Sequence, residues 1–204
     1  MKEADHDIQT IEFYNKNLNS YSESTCNLNL SDQLNTFTNL LPPQGRILDI
    51  GCGIGRDILY FQSLGFVTDG IEPSILMARV ARKKTRAQII EISAEELNDK
   101  DKYDGIWACA SLLHIPKRKI ESVINKIAQA LKKEGYCYIS LKEGIGEVRE
   151  SDGRLFSYYT AEEITKSINR SGSMGLLKIW KSSDAVQRSN TQWLNILLIK
   201  SKHS

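Results

Sequence analysis

Short apolar runs alternate with amphipathic stretches along most of the chain. Five apolar runs have the length of buried strands, at 46–50, 67–71, 87–92, 103–110 and 136–141. Apolar residues at helical spacing predict helices between and after them, over about 56–64, 74–84, 94–97, 117–132 and 160–170. Strands that alternate with helices indicate an α/β fold, in which helices cover both faces of a mostly parallel sheet.

The two ends of the chain depart from this alternation. Two final apolar runs, 176–181 and 193–200, have no helix-length insert between them, which predicts a hairpin and an antiparallel closing strand. Residues 1–30 are polar and rich in asparagine. We therefore expect an N-terminal arm or lid at 1–30 and a single domain at 31–204, which opens with a helix over about 32–41.

Composition narrows the class of protein. The 204 residues are 41% hydrophobic and 25% charged, which is typical of a globular chain, and the net charge of +2 does not favour a nucleic-acid or membrane surface. No apolar segment approaches the roughly 20 residues of a membrane span and no secretory signal is recognisable, so we expect a cytoplasmic protein. The four cysteines form no CxxC pair, which predicts reduced thiols and no bound metal.

A glycine-rich loop follows the first predicted strand. The segment Asp49-Ile50-Gly51-Cys52-Gly53-Ile54-Gly55 joins that strand to a helix, and glycines let the backbone turn sharply and approach a ligand. Glu72 stands 21 residues after Gly51, at the end of the second strand. A carboxylate at that point can accept both hydroxyls of a ribose, so we expect a nucleoside-containing cofactor at these strand ends.

The spacing of the glycines discriminates between cofactors. A dinucleotide fingerprint needs G-x-G-x-x-G, but Arg56 takes the sixth position from Gly51 and Gly55 comes one residue early. The chain also contains no G-x-x-x-x-G-K-[ST], which excludes a P-loop. A nicotinamide or flavin dinucleotide is therefore disfavoured.

Three segments in order carry a family resemblance. Asp49–Gly55, Glu72 and the fourth-strand segment ACASLLH (108–114) resemble class I S-adenosylmethionine-dependent methyltransferases, over about residues 31–200. Within that class, GCGIGRD, DGIWACASLLHIP, GRLFSYY and WLNILLIK are similar to small stand-alone bacterial methyltransferases of the tellurite-resistance type. The resemblance implies a Rossmann-like doubly wound seven-stranded sheet, mostly parallel with an antiparallel C-terminal strand.

The resemblance implies a methionine-binding half of the site. Gly51 and Gly53 pass under the methionine part of S-adenosylmethionine, with Cys52 between them. The other residues of this half are Asp49, which organises the loop, Arg56, which pairs with the cofactor carboxylate, Asp57 beside it, and the backbone at Cys109 and Ala110.

The same resemblance implies an adenosine-binding half. Glu72 holds the ribose hydroxyls, and Pro73 or Met77 flanks the adenine. The segment that faces the adenine ring comprises Ser93, Ala94 and Glu95. From the N-terminal arm, Tyr14 and Tyr21 close over the cofactor.

The chemistry of methyl transfer points to few catalytic groups. The reaction is an in-line displacement at a sulfonium carbon, so the protein's main task is to align donor and acceptor. A base is needed only when the acceptor atom carries a proton. His114, six residues beyond Ala108, lies at the rim where the acceptor should bind, and its ordinary pKa near 6.5 suits a base. The charged and aromatic loop 142–159 is a candidate acceptor wall.

We expect a methyltransferase that acts on a small molecule, without a membrane or nucleic-acid partner. The identity of the acceptor, the use of a base and the oligomeric state stay open. A tRNA or protein methyltransferase is the alternative within the class, and a non-catalytic S-adenosylmethionine-binding protein is the alternative outside it.

Overall fold

The computed structural model describes residues 7–185 and 191–201. Positions 1–6 of the predicted arm, and positions 186–190 and 202–204 of the predicted domain, lie outside the described residues.

Strands and helices alternate through the centre of the chain. The strands are β1 (Arg46–Ile50), β2 (Val67–Ile71), β3 (Gln88–Ile90), β4 (Tyr103–Ala108), β5 (Leu131–Lys142), β6 (Glu147–Arg149), β7 (Leu155–Ser157), β8 (Met174–Ser183) and β9 (Gln192–Lys200). The α-helices are α1 (Ile8–Lys16), α2 (Leu18–Thr25), α3 (Ser31–Thr38), α4 (Arg56–Ser63), α5 (Ile75–Thr85), α6 (Ile120–Ala130) and α7 (Ala161–Ser171). Short 3-10 helices lie at Ala94–Glu96, Leu112–His114 and Lys117–Lys119.

Seven strands form one sheet in the order β3-β2-β1-β4-β5-β9-β8. Neighbours from β3 to β5 pair in parallel, whereas β9 pairs antiparallel with both β5 and β8. The predicted fold class is thereby confirmed. The strand order reverses between β1 and β4, so the carboxyl ends of these two strands flank the crevice in which such sheets bind ligands.

Helices cover both faces of the sheet, as predicted. On one face α6 and α7 contribute Ile124, Ile127 and Ile164 to the largest group of buried apolar side chains. On the other, Phe37 of α3 and Phe61 of α4 pack with Trp107 of β4. These two layers bury the strands on both sides and fix the positions of their carboxyl ends.

Three local features differ from the expectation. The polar arm forms the helices α1 and α2, and the loop 142–159 contains the two-stranded β6–β7 hairpin. The helix predicted over 117–132 ends at Ala130, because Leu131 pairs with Tyr103 of β4 and starts β5 early. Among the residues that the structure describes, no helix has both the length and the apolar character needed to cross a membrane.

Candidate functional site

The glycine loop lies across the end of β2. The N–H groups of Gly51 and Cys52 donate to the carbonyl of Ile71, at 2.8 and 3.2 Å. Gly51 and Gly53 have φ values of +69° and +55°, a region that glycine enters without strain. A Cβ on Gly51 would lie 2.5 Å from that of Ser111, whereas one on Gly53 would project into open space. The loop therefore offers an unobstructed backbone surface at Gly53.

Glu72 fixes this loop from the end of β2. Its buried carboxylate accepts hydrogen bonds from the N–H groups of Gly53 and Ser74, both at 2.8 Å. Burial raises the pKa of Glu72 to about 7, although the two N–H donors oppose the rise. A carboxylate in this state gains stability from any further donor, such as a ligand hydroxyl.

Two adjoining cavities meet at this loop. The larger has a volume of about 800 Å³ and the smaller about 100 Å³. The predicted residues that line only the larger cavity are Asp49, Cys52, Arg56, Asp57 and Cys109. Those that line only the smaller one are Glu72, Pro73, Met77, Ser93, Ala94 and Glu95. Those shared by both are Tyr14, Tyr21, Gly51, Gly53, Ala110 and His114.

The two cavities can be compared with the two halves that the resemblance implies, apart from the residues that line both. Residues assigned to adenosine lie around the smaller cavity, and those assigned to methionine lie around the larger one. The shared residues mark the junction between the two. Every predicted site residue thus lies on one continuous surface, even though they come from elements far apart in the sequence.

Arg56 is held by its neighbour in the chain. Its Nε and Nη2 donate to the Asp57 carboxylate at 2.6 and 2.9 Å, and its Nη1 donates to the carbonyl of Thr25 at 3.1 Å. Trp107 Nε1 also donates to Asp57, at 2.9 Å. A guanidinium carries five N–H donors, so Arg56 retains donors for a ligand carboxylate while it connects α4 to the end of α2.

The acid Asp49 and two thiols in the larger cavity are biased toward their neutral forms. Burial raises the pKa of Asp49 well above its usual range, and the nearby Asp57 adds to the rise while Arg56 opposes it. Burial also raises the pKa of Cys109 to about 12, and raises that of Cys52. These two thiols are therefore not poised as nucleophiles at neutral pH.

Helices α1 and α2 and the β6–β7 hairpin together cover the cavities, and we call them the roof. Arg149 of β6 pairs with Asp7 at 3.0 Å, and the N–H of Leu155 donates to Thr10 Oγ1 at 2.9 Å. On the opposite side, Ser74 Oγ donates to Asn15 Oδ1 at 2.8 Å. Helix α1 thus bridges the hairpin and the start of α5.

His114 differs from the expectation of a free base with an ordinary pKa. Its Nδ1 lies 2.6 Å from the carbonyl oxygen of Leu155, and its Nε2 lies 2.7 Å from the hydroxyl of Tyr14. Burial lowers the pKa of His114 to about 4, helped by the positive charges of Arg154 and Lys142. The imidazole is therefore neutral at pH 7, and both of its nitrogens have partners.

Part of the predicted acceptor wall lines the larger cavity. Lys142 and Arg154 do so, as does Phe156, whose ring lies 3.8 Å from Lys142 Nζ and 5.0 Å from Arg154 Cζ. In contrast, Tyr158 and Tyr159 line neither cavity.

Sequence reasoning missed the side of the larger cavity that β9 forms. Asn195 is buried there. Its Oδ1 accepts a hydrogen bond from the Tyr138 hydroxyl at 2.6 Å, and its Nδ2 donates one to Ser182 Oγ at 2.9 Å. In the sequence, Asn195 stands out as the single amide within the apolar run 193–200. A buried polar side chain in such a run needs partners, which is a reason to look for a site beside it.

Comparison with known proteins agrees with this geometry. Residues 23–172 match a family described as "Methyltransferase domain". The methyltransferase GfsG of Streptomyces halstedii is 29% identical over an alignment of 104 residues, and the match covers 47% of this chain and 37% of that protein. A second curated relative, from Bacillus subtilis, is 29% identical over 102 residues and is matched over 41% of its length. The chain thus spans about two fifths of the curated relatives that it matches.

A solved structure resembles nearly the whole chain. The 1,6-didemethyltoxoflavin-N1-methyltransferase of Burkholderia thailandensis, solved with 1,6-didemethyltoxoflavin and S-adenosylhomocysteine, has a TM-score of 0.78 and 17% identity. The match covers 98% of this chain and 92% of that one. At this identity the likeness concerns the fold, and none of these matches singles out the tellurite-resistance type. The family match spans most of the chain, and on it we conclude that the protein belongs to the methyltransferase domain family, with the fold of class I S-adenosylmethionine-dependent methyltransferases.

Proposed function

We propose that this protein transfers the methyl group of S-adenosylmethionine to a small-molecule acceptor. The observation that carries the proposal is the buried Glu72 carboxylate, held by backbone N–H groups beside the open surface of Gly53. The cofactor supplies a methyl carbon on a sulfonium sulfur, which departs as a neutral thioether. No residue of the chain is needed as an acid toward that leaving group.

The residues around the smaller cavity fit a nucleoside. Glu72 provides acceptors for ribose hydroxyls, and Met77 and Ala94 provide apolar walls. Ser111 Oγ lies in the same wall, is buried, and has no hydrogen-bond partner among the residues that the structure describes. An orphaned hydroxyl of this kind is satisfied by a ligand or by water. Gly53 leaves the space that a side chain would otherwise fill.

The residues around the larger cavity fit the methionine part of the cofactor and a small acceptor. Arg56 retains donors for a carboxylate, and Asp49 lies at the carboxyl end of β1. Beyond them, Lys142, Arg154 and Phe156 form a wall that combines positive charge with an aromatic face. A cavity of about 800 Å³ that also holds the methionine part of the cofactor leaves room for a compact acceptor.

Binding of S-adenosylhomocysteine, followed by calorimetry, tests the cofactor site. Replacing Glu72 by Ala should weaken binding by about 1–3 kcal/mol, since hydrogen bonds to a charged group are lost. Glu162→Ala is the matched control, because Glu162 is an exposed acid on α7 that pairs with Lys166. Equal affinities for the two variants would contradict the assignment of Glu72 to the ribose.

Transfer of a labelled methyl group tests the acceptor class. The protein is incubated with methyl-labelled S-adenosylmethionine and cell extract, and the small-molecule, RNA and protein fractions are counted separately. We expect the label in the small-molecule fraction. Label in RNA or protein would favour the tRNA or protein alternative, and cofactor binding without any transfer would favour the non-catalytic one. Transfer to tellurite tests the resemblance to methyltransferases of the tellurite-resistance type.

The cytoplasmic location stays a prediction, which cell fractionation would test.

A further inference from the structure

We propose that the Tyr14 hydroxyl oxygen receives the proton of the acceptor, and that His114 is the positioning residue that orients this hydroxyl and takes up its proton. The acceptor is accordingly a molecule whose nucleophilic atom carries a proton, such as a phenol or a ring N–H. This inference rests on the proposed function and specifies its substrate class.

The hydrogen bonds of His114 determine its tautomer. A carbonyl oxygen can only accept, so the short contact with Leu155 places the proton of the neutral imidazole on Nδ1. Nε2 is then an acceptor, and the Tyr14 hydroxyl must donate to it at 2.7 Å. Because the Tyr14 hydroxyl donates its hydrogen to His114, its oxygen can only accept a hydrogen bond from a ligand.

The position of this pair is where an acceptor would meet the cofactor. Tyr14 and His114 both line the larger and the smaller cavity, so they lie at the junction between the two. The Tyr14 ring is fixed by edge contacts with Phe13, Tyr21 and His114, at centroid distances of 5.4, 5.1 and 5.4 Å. A hydroxyl held in this way offers one direction of approach.

The charged groups around Tyr14 and His114 favour a transfer in which the proton passes through the Tyr14 oxygen without staying on it. Burial raises the pKa of the Tyr14 hydroxyl, Tyr21 and Glu72 add to the rise, and Arg154 opposes it. Arg154 and Lys142 also disfavour a proton that rests on His114, whereas Asp7 favours one. Asp152 pairs with Arg154 and moderates its charge. The Tyr14 oxygen thus holds the proton only briefly, with the Arg154 guanidinium beside it, and His114 is the final proton acceptor.

The proposed step balances. The acceptor's lone pair forms the bond to the methyl carbon, and the electron pair of the broken carbon–sulfur bond stays on sulfur. The acceptor's proton moves to the Tyr14 oxygen as the Tyr14 proton moves to His114 Nε2, which leaves an imidazolium that later releases a proton to solvent. A thiolate, or tellurite that reacts through the lone pair on tellurium, has no proton on its nucleophilic atom, so it has no use for this arrangement.

Nitrogen NMR of the complex with S-adenosylhomocysteine tests the arrangement without turnover. We expect the ring of His114 to be neutral, with the proton on Nδ1. Tyr14→Phe should move the Nε2 signal and leave that of Nδ1, whereas the control Tyr60→Phe should move neither, because Tyr60 bonds to Asn35 on the protein surface. A proton on Nε2, or an unmoved Nε2 signal in Tyr14→Phe, would overturn the inference.

Turnover with defined probes tests the substrate class. The probes are 2-chlorophenol, which is protonated at pH 7 and ionises at mildly alkaline pH, uracil as a ring N–H compound, 4-nitrothiophenol, which is ionised at pH 7, and tellurite. We expect methylation of at least one of the first two, and a fall of about 100-fold or more in kcat for Tyr14→Phe, the usual scale for a lost base. Affinity for S-adenosylhomocysteine should change by less than about threefold, since the hydroxyl acts on the acceptor.

The pH profile separates proton transfer from a structural defect. With the phenol, the deficit of Tyr14→Phe should shrink as pH rises through the acceptor's own pKa, because an ionised acceptor needs no base. Methylation confined to 4-nitrothiophenol and tellurite, or an equal deficit at every pH, would overturn the inference. Should no probe be methylated, the NMR result decides. Failure of the wild-type protein to bind S-adenosylhomocysteine would instead contradict the proposed function itself.

Discussion

The floor and the roof of the site are held in place by different forces. The floor consists of the loop 51–55, Glu72 and the segments 93–95 and 109–111, all at strand ends. Backbone hydrogen bonds fix it, such as those from Gly51 to Ile71 and from Glu72 to Ile90. Within the roof, helices α1 and α2 are tied down by side chains, such as the partly exposed pair of Asp7 and Arg149, which is worth roughly 0–1 kcal/mol. We expect a floor that keeps its shape without ligand and a roof that responds to ligand.

The largest effect should come from a side chain placed on the floor. Gly53→Val puts a branched side chain into the open space over the loop and should lower affinity for S-adenosylhomocysteine by more than about 100-fold, since the ligand's contact surface is lost. Isothermal calorimetry measures the affinity and circular dichroism checks the fold.

Gly65→Val is the matched control for this substitution. Gly65 has a φ of +87° and equally open surroundings, but it follows α4 outside both cavities. Both variants should lose about 1–2 kcal/mol of stability from the left-handed backbone, and only Gly53→Val should lose the ligand. Parallel losses of affinity in the two variants would mean that strain, and not close approach, explains the effect.

The same contrast explains what could be predicted from the sequence. The floor is encoded locally, because Asp49–Gly55 and Glu72 end neighbouring strands whose register brings them together. The roof depends on contacts over long distances in the chain, such as that between Thr10 and Leu155, which no spacing reveals. The state of His114 also escaped prediction, because its pKa depends on burial and on the distant residues Leu155 and Arg154.

The pH dependence of binding should identify the floor's carboxylate. The pKa of Glu72 is raised to about 7 in the protein without ligand, so part of the population is protonated at neutral pH. Ligand hydroxyls stabilise the ionised form, so binding releases a proton and affinity should rise with pH, by at most about tenfold per unit below 7, and level off above. Calorimetry in buffers of different ionisation enthalpy counts the released proton. In Glu72→Gln the slope should vanish, and a slope that persists would assign the titration to another group.

A smaller effect is expected in the dynamics of the roof. We propose that α1 and α2 act as a lid, because few buried apolar contacts anchor them in the absence of ligand. Hydrogen exchange at residues 10–25 should slow by roughly tenfold or more when S-adenosylhomocysteine is added, whereas α7 should not change, since it packs in the core. Equal exchange of the arm with and without ligand would show it to be a static cover and would remove Tyr14 and Tyr21 from the ligand-responsive part of the site.

The smallest effect should come from loosening the roof at one bond. Thr10→Val keeps the shape of the side chain but removes the hydroxyl that accepts the N–H of Leu155 and also donates to Asp7 at 2.7 Å. The bond to Leu155 is the one that joins α1 to the hairpin. The bond is worth about 0.5–1.5 kcal/mol, so affinity for S-adenosylhomocysteine should fall by roughly two- to tenfold, while the melting temperature of the protein without ligand changes little. Thr165→Val is the control, because Thr165 bonds only to the backbone of its own helix α7. If the bond served the fold and not the lid, the melting temperature would fall in both variants alike and the ligand affinity in neither. A loss of affinity confined to Thr10→Val would instead mean that the contact between α1 and the hairpin is formed mainly in the closed state, which is the property that separates the roof from the floor.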